Sequence, residues 1–188
     1  MIIWLSSYHK SGNTWLRTFL TNYIYEEKED PFENITKIPS YPREKHFTFL
    51  NDQELKTLGD KENNFKHYIS SQNKINLSGN LSLFKTHSYC GAINGNHFTN
   101  NENTAGFIYF VRDPRSVAIS LSHHMTKSLE DTVDIMIDKN TFMKINDKFA
   151  EYLSSWKINY LSWRNAKYPK LIMRYEDLKD NSFDNFKN

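Results

Sequence analysis

Residues 2–15 read Ile-Ile-Trp-Leu-Ser-Ser-Tyr-His-Lys-Ser-Gly-Asn-Thr-Trp. The first four form an apolar run with β-branched members, the pattern of a buried strand. Residues 6–13 are polar and hold Lys10, Ser11 and Gly12, so the strand runs into a loop. Trp15, Leu16, Phe19, Leu20, Tyr23 and Ile24 then recur at helical spacing, which predicts a helix over 13–27. Thr18, Thr21 and Asn22 lower its intrinsic propensity, so packing is expected to hold it. A glycine-containing loop that opens a helix turns backbone N–H groups and the positive end of the helix dipole toward one point. Lys10 adds a mobile charge, and Ser11 and Thr14 add hydroxyls. This chemistry suits a phosphate or sulfate, although an ordinary strand-to-helix turn with a solvated lysine fits the same residues. The order is not that of a Walker A loop, because the lysine precedes the glycine.

Outward from this segment, three more strands are predicted, over 81–86, 107–111 and 171–173. Helices are expected over 116–124 and 130–138. One or two more are expected over 142–165, where Phe149, Tyr152, Leu153, Trp156, Tyr160 and Trp163 form a stripe. Residues 28–80 are broken by Pro31, Pro39 and Pro42, with one short helix expected over 51–59 between an Asn51 or Asp52 cap and Gly59. Residues 90–106, rich in asparagine and glycine, read as an exposed loop. Short hydrophobic strands alternating with helices predict an α/β fold of three layers, a central parallel sheet flanked by helices. Ligands of such sheets bind beyond the carboxyl ends of the strands. Here those ends carry Lys10, Lys85-Thr86-His87 and Arg112, which are expected along one rim.

Each rim motif has two readings from its residues alone. Arg112 follows a buried strand, so its guanidinium needs an anion or a carboxylate, and Asp113 and Glu176 are at hand. Ser120, two helical turns on, can reach the same anion. His87 beside Lys85 suits a general base, because the ammonium favours neutral imidazole, yet lone histidines are often structural. His123 and His124 point about 100° apart on a helix and have no partner at ligand spacing, so no metal site is expected. Tyr175-Glu176-Asp177 fits either a strand-end cap or a nucleotide contact.

Composition bounds the function. A chain of 188 residues fits one domain, taken as 1–188, large enough to bury a core without staples. A hydrophobic share of 38% and an aromatic share of 15% argue against a largely disordered chain. A net charge of +2 excludes a protein that coats nucleic acid, while leaving room for a local anion site. Cys90 is the one cysteine, so no intrachain disulfide forms and a reducing, cytoplasmic location is expected. No apolar run reaches the roughly 20 residues of a membrane span. Residues 1–7 lack the basic flank and the length of a signal peptide.

Taken together and in this order, the motifs resemble those of the PAPS-dependent sulfotransferase family. Residues 8–15 resemble its 5′-phosphosulfate segment, usually Tyr-Pro-Lys-Ser-Gly-Thr-Thr-Trp, with His9 and Asn13 in place of proline and threonine. Residues 112–120 resemble its 3′-phosphate segment, Lys85-Thr86-His87 the strand ending in the catalytic histidine, and Tyr175-Glu176-Asp177-Leu178 a further recurrent motif. The resemblance spans residues 6–178 and implies a P-loop nucleotide-kinase-like fold. It also implies transfer of a sulfuryl group from PAPS to a hydroxyl or amine of a small-molecule acceptor, leaving PAP. On that footing His87 takes the acceptor proton, Lys10 and Lys85 stabilise charge, and backbone groups of Ser11, Gly12, Asn13 and Thr14 hold the 5′-phosphate. Arg112 and Ser120 hold the 3′-phosphate, Trp15 stacks on adenine and Tyr175 contacts the nucleotide; no metal is required and no nucleic-acid partner is implied. The family's Arg-Lys-Gly-x-x-Gly segment has no counterpart here, which leaves three expectations: a naturally short member, a truncated chain, or a contact supplied by another chain. Two further functions remain: a catalytically silent PAP- or sulfate-binding remnant, and a P-loop kinase or nucleotide hydrolase. The lack of a Walker A order and of an evident Mg²⁺-binding aspartate counts against the last.

Overall fold

The computed structural model describes residues 1–25, 32–145 and 149–180. Four parallel strands form the central sheet: β1 (Ile2–Ser7), β2 (Ser82–Thr86), β5 (Thr104–Val111) and β8 (Lys170–Arg174), in the order β2-β1-β5-β8. Between β2 and β5 lies a two-residue-strand hairpin, β3 (Ala92–Ile93) with β4 (Asn96–His97). A second antiparallel pair joins β6 (Phe142–Lys144) to β7 (Ala150–Tyr152). The helices are α1 (Asn13–Ile24), α2 (Asp52–Leu55), α3 (Lys61–Asn76), α4 (Pro114–Met125), α5 (Leu129–Ile137), α6 (Trp156–Asn165) and α7 (Tyr175–Asp180). Among the described residues no helix is long and apolar enough to cross a membrane.

Alternation along the strands builds two cores. On one face Trp4, Phe84, Phe107 and Tyr109 meet Phe65 and Tyr68 of α3 and Trp163 of α6. On the other, Phe110 packs with Leu16 of α1 and Leu178 of α7. Both faces are covered, as the near-continuous apolar strands predict. The chain leaves β1, pairs first with β2 on one side and then with β5 on the other. That reversal opens a crevice at the carboxyl end of β1, between its two neighbours.

Several boundaries differ from expectation. The first helix ends at Ile24, with Tyr25 already extended, and the expected end at Glu27 lies outside the described residues. The 51–59 helix has its Asn51 cap, which accepts from Glu54 N at 2.9 Å, but stops at Leu55. Residues 61–76 form a full helix that the sequence pattern concealed, because its buried stripe includes Asn64, Ser71 and Gln72. Each donates to a distant backbone carbonyl: Asn64 to Ala150 O, Ser71 to His46 O and Gln72 to Phe98 O. Residues 90–106 are not simply exposed. Phe98, Thr99, Asn103 and Thr104 are buried, and β5 begins at Thr104. The largest correction is 142–155. The stripe from Phe149 to Trp163 is not one helix: β6 and β7 pair, Ser154 adopts φ 59°, and Ser155 caps a new helix by accepting from Ile158 N. Helical spacing across that break is coincidental.

Candidate functional site

The crevice beyond β1 is a cleft of about 660 Å³. His9, Lys10, Gly12, Asn13, Thr14 and Trp15 line it from the β1–α1 loop, Lys85 and His87 from the end of β2, Arg112 from the end of β5, Ser120 and His124 from α4, and Tyr175 from α7. The expected convergence of strand ends therefore holds. Ser11 lies beneath, 1% exposed, with its Oγ buried and unpartnered.

The loop adopts its shape through two left-handed residues, Lys10 at φ 61° and Gly12 at φ 95°. Gly12 is required twice over. It occupies a conformation costly for other residues, and a Cβ there would lie 2.5 Å from Tyr175 Cδ2 and 3.1 Å from Phe110 Cε1. Gly12 is also the N-cap of α1 and supplies no side-chain acceptor, so the first N–H groups of the helix lack a side-chain cap. Asn13 does not face a ligand first. It is buried, and its Nδ2 donates to Leu5 O at 3.1 Å and to Ser7 Oγ at 3.2 Å, which ties the loop to the strand it leaves. Trp15 is 38% exposed at the cleft mouth.

Arg112 pairs with neither carboxylate that the sequence offered it. Its Nη1 donates to Lys10 O at 2.9 Å, its guanidinium lies 4.5 Å from the Tyr175 ring centroid, and its buried Nε has no partner. Asp113 caps α4 and binds Arg115, while Glu176 accepts from Asp113 N at 2.9 Å. Among the described residues the Arg112 charge thus has no neutralising carboxylate.

His87 is buried, 7% exposed, at the wall of the cleft. Its Nδ1 lies 2.8 Å from Ser7 O, a group that only accepts, so Nδ1 carries the proton and Nε2 has the lone pair. Ser7 Oγ lies 3.2 Å from the same nitrogen. Burial first, then the Lys85 charge and His9, holds His87 well below its usual titration range. His9, where the resembled motif has proline, sets its ring tilted against that of His87, with the centroids 4.0 Å apart. Burial and the nearby Lys85, His124 and Lys10 charges push its pKa down to about 3, so this pair of rings is neutral near pH 7.

Sequence reasoning missed the groups that hold this end. Glu151, 2% exposed, accepts from His87 N at 2.8 Å through Oε1 and lies 3.9 Å from Lys85 Nζ through Oε2. Asn159 Nδ2 donates to His87 O at 3.0 Å and to Leu153 O at 2.8 Å, while its Oδ1 accepts from Tyr109. Trp163 donates to Ser88 O at 2.9 Å. The helix assignment over 142–165 hid Glu151, and no local pattern distinguishes a carboxylate that will be buried from one that will be solvated. Arg17, Ser40 and Arg43 also line the cleft and were not singled out.

A family model described as "Sulfotransferase domain" matches residues 2–188. Among solved structures, the chain is similar to retinol dehydratase in complex with androsterone and the inactive cofactor PAP, at 15% identity and TM-score 0.52. The match covers 96% of this chain and 56% of that one. Retinol dehydratase in a complex with retinol and PAP matches at 14% identity and TM-score 0.47, over 96% of this chain and 56% of that one. The chain thus spans little more than half the length of the solved relatives it matches. No curated protein sequence matches it.

Proposed function

The chain belongs to the sulfotransferase domain family, and from that premise we propose that it moves a sulfuryl group from PAPS to a hydroxyl or amine of a small-molecule acceptor. One observation carries the proposal. An uncapped helix N-terminus with Lys10, an arginine without a carboxylate partner, and a histidine with its lone pair on Nε2 face one cleft.

The residues present fit the nucleotide. Among the described residues lining the cleft there is no aspartate or glutamate, whereas Lys10 and Arg112 bring positive charge to it. Ser11 Oγ and Arg112 Nε are buried polar atoms without partners, as expected of groups that await an anion. Backbone N–H groups of Ser11 to Thr14 hold the 5′-phosphate. Arg112 and Ser120 hold the 3′-phosphate, with Tyr175 backing the guanidinium. Trp15 offers its half-open face to adenine.

PAPS, when bound, supplies the sulfur that bonds to the acceptor oxygen or nitrogen as its bond to the 5′-phosphate oxygen breaks. The chain's own part is positional and electrostatic. His87 Nε2 takes the acceptor proton, while Ser7 O keeps the imidazole in the required tautomer. Lys10 sits where charge grows on the departing phosphate oxygen, and Lys85, held by Glu151, assists. We read residues 1–188 as one unit acting in the cytoplasm; the four-stranded sheet, whose strands come from β1 to β8, supports the first, the lone Cys90 the second.

The test is binding and turnover with one preparation. PAP is expected to bind without Mg²⁺ and in preference to ATP with Mg²⁺. Lys10→Ala is expected to lose more in turnover than in PAP affinity. Preference for ATP and Mg²⁺ overturns the proposal, and PAP binding with no transfer to any acceptor favours a silent nucleotide-binding protein.

A further inference from the structure

Nucleotide binding as proposed uses Lys10 and Arg112. Two cations without a part in it, Arg17 and Arg43, line the cleft with Lys85, which the transfer step shares. Arg43 stands in a strap, residues 39–43, bound to β2 by Tyr41 N to Lys85 O at 2.8 Å and Lys85 N to Pro39 O at 2.9 Å. Arg17, on α1, donates through Nη2 to Ile35 O at 2.9 Å and Ile38 O at 2.7 Å, in the segment that leads into the strap, and its buried Nε has no partner. Lys85 completes the group, and all three line the cleft together with Ser40. Among the described residues Arg17 and Arg43 make no ion pair, and Lys85 has only Glu151 at 3.9 Å. Arg43 depresses the pKa of Arg17, and both arginines depress that of Lys85, although burial is the larger cause in each case. Three half-buried cations against one carboxylate are a standing repulsion that an anion relieves.

We propose that Arg17, Arg43 and Lys85 form an anion subsite on the acceptor side of the cleft, so that the acceptor bears a carboxylate, phosphate or sulfate group near the atom to be sulfated. The proposal rests on the sulfotransferase reading for the word acceptor, while the subsite itself is a matter of geometry and charge. Position decides against the nucleotide as its occupant. Arg112 and Tyr175 flank the loop from β5 and α7, so the 3′-phosphate lies toward β8, and β2 is the opposite edge of the sheet. His87 directly follows β2 and lines the same cleft as the three cations.

The experiment compares p-cresol with 4-hydroxyphenylacetate, 4-hydroxyphenyl phosphate and 4-hydroxyphenyl sulfate, four phenols that differ in their anionic group. Binding is measured by calorimetry with and without saturating PAP, and sulfuryl transfer is measured separately. At least one anionic phenol is expected to bind about tenfold or more tightly than p-cresol, in keeping with a charge-assisted hydrogen bond. The phosphate, sulfate and carboxylate arms distinguish the groups. Arg43→Gln is expected to abolish the preference with PAP affinity intact, and Arg43→Lys to retain part of it. Arg43 is chosen because Arg17 also holds two backbone carbonyls. Equal binding of all four phenols, or a preference that survives Arg43→Gln, overturns the subsite. Loss of PAP affinity in Arg43→Gln reassigns the cations to the nucleotide and overturns it as well. An intact preference without transfer to any phenol upholds the subsite and counts against the transferase reading alone.

Discussion

The two flanks of the cleft are built differently. On the nucleotide flank, residues 10–15 lie within six consecutive positions, and Arg112 and Tyr175 each follow directly on a strand. Some of its buried polar atoms, Ser11 Oγ and Arg112 Nε, stand unpartnered. On the histidine flank, His87 is held by groups from three separate places: Ser7 from β1, Glu151 from β7 and Asn159 from α6. There the hydrogen bonds of the catalytic candidate are already made, and only Nε2 is left to act. The contrast teaches a division of labour. A phosphate is a large diffuse anion that a local loop can cradle, whereas a proton acceptor needs one nitrogen fixed by a shell assembled across the fold.

That contrast can be broken most sharply at His87. His87→Ala is expected to lose on the order of 10²–10⁴-fold in transfer rate with PAP affinity nearly intact; a parallel fall in PAP affinity would erase the distinction between the flanks. Next in size is Glu151→Ala. Removing one partner of a buried ion pair leaves Lys85 uncompensated and the His87 backbone N–H unsatisfied. A loss of about 3 kcal/mol in unfolding free energy is expected by chemical denaturation, and a loss under about 1 kcal/mol would show that the shell is not structural.

Arg112→Ala tests the other flank. PAP binding is expected to weaken by about 1.5–3 kcal/mol, with little change for a nucleotide lacking the 3′-phosphate. Equal losses for both nucleotides would assign Arg112 to holding Lys10 O and the Tyr175 ring instead.

A further effect concerns pH. His87, His9 and His46 are neutral in the fold, their pKa values lowered chiefly by burial, to about 3 for His9 and about 4 for His46. In the unfolded chain they take up protons near pH 6.5. The unfolded state then binds more protons, so stability falls as pH drops from about 6.5 toward 4, by up to ~1.4 kcal/mol per pH unit for each histidine. Thermal melts across that window check the slope, and His9→Gln is expected to reduce it. An unchanged slope would mean that His9 is already solvated in the fold.

The sequence by itself determined the parallel sheet and brought the loop around Lys10 into view as the end of its first strand. Apolar strands, helical spacing after Asn13, and the Lys10–Gly12 loop are local patterns, and local patterns are what backbone sterics and periodicity read directly. Tertiary structure alone decided the rest. Helix α3 was concealed because its buried face carries Asn64, Ser71 and Gln72, whose partners lie far along the chain. The β6–β7 hairpin shared the spacing of a helix until Ser154 broke it. Glu151 became the clamp of His87, and Arg43 a neighbour of Lys85, only once strands and strap were brought together across 64 and 42 positions of chain. The reason is physical: a charge acquires its role from desolvation and from its partners, and both are properties of the assembled interior.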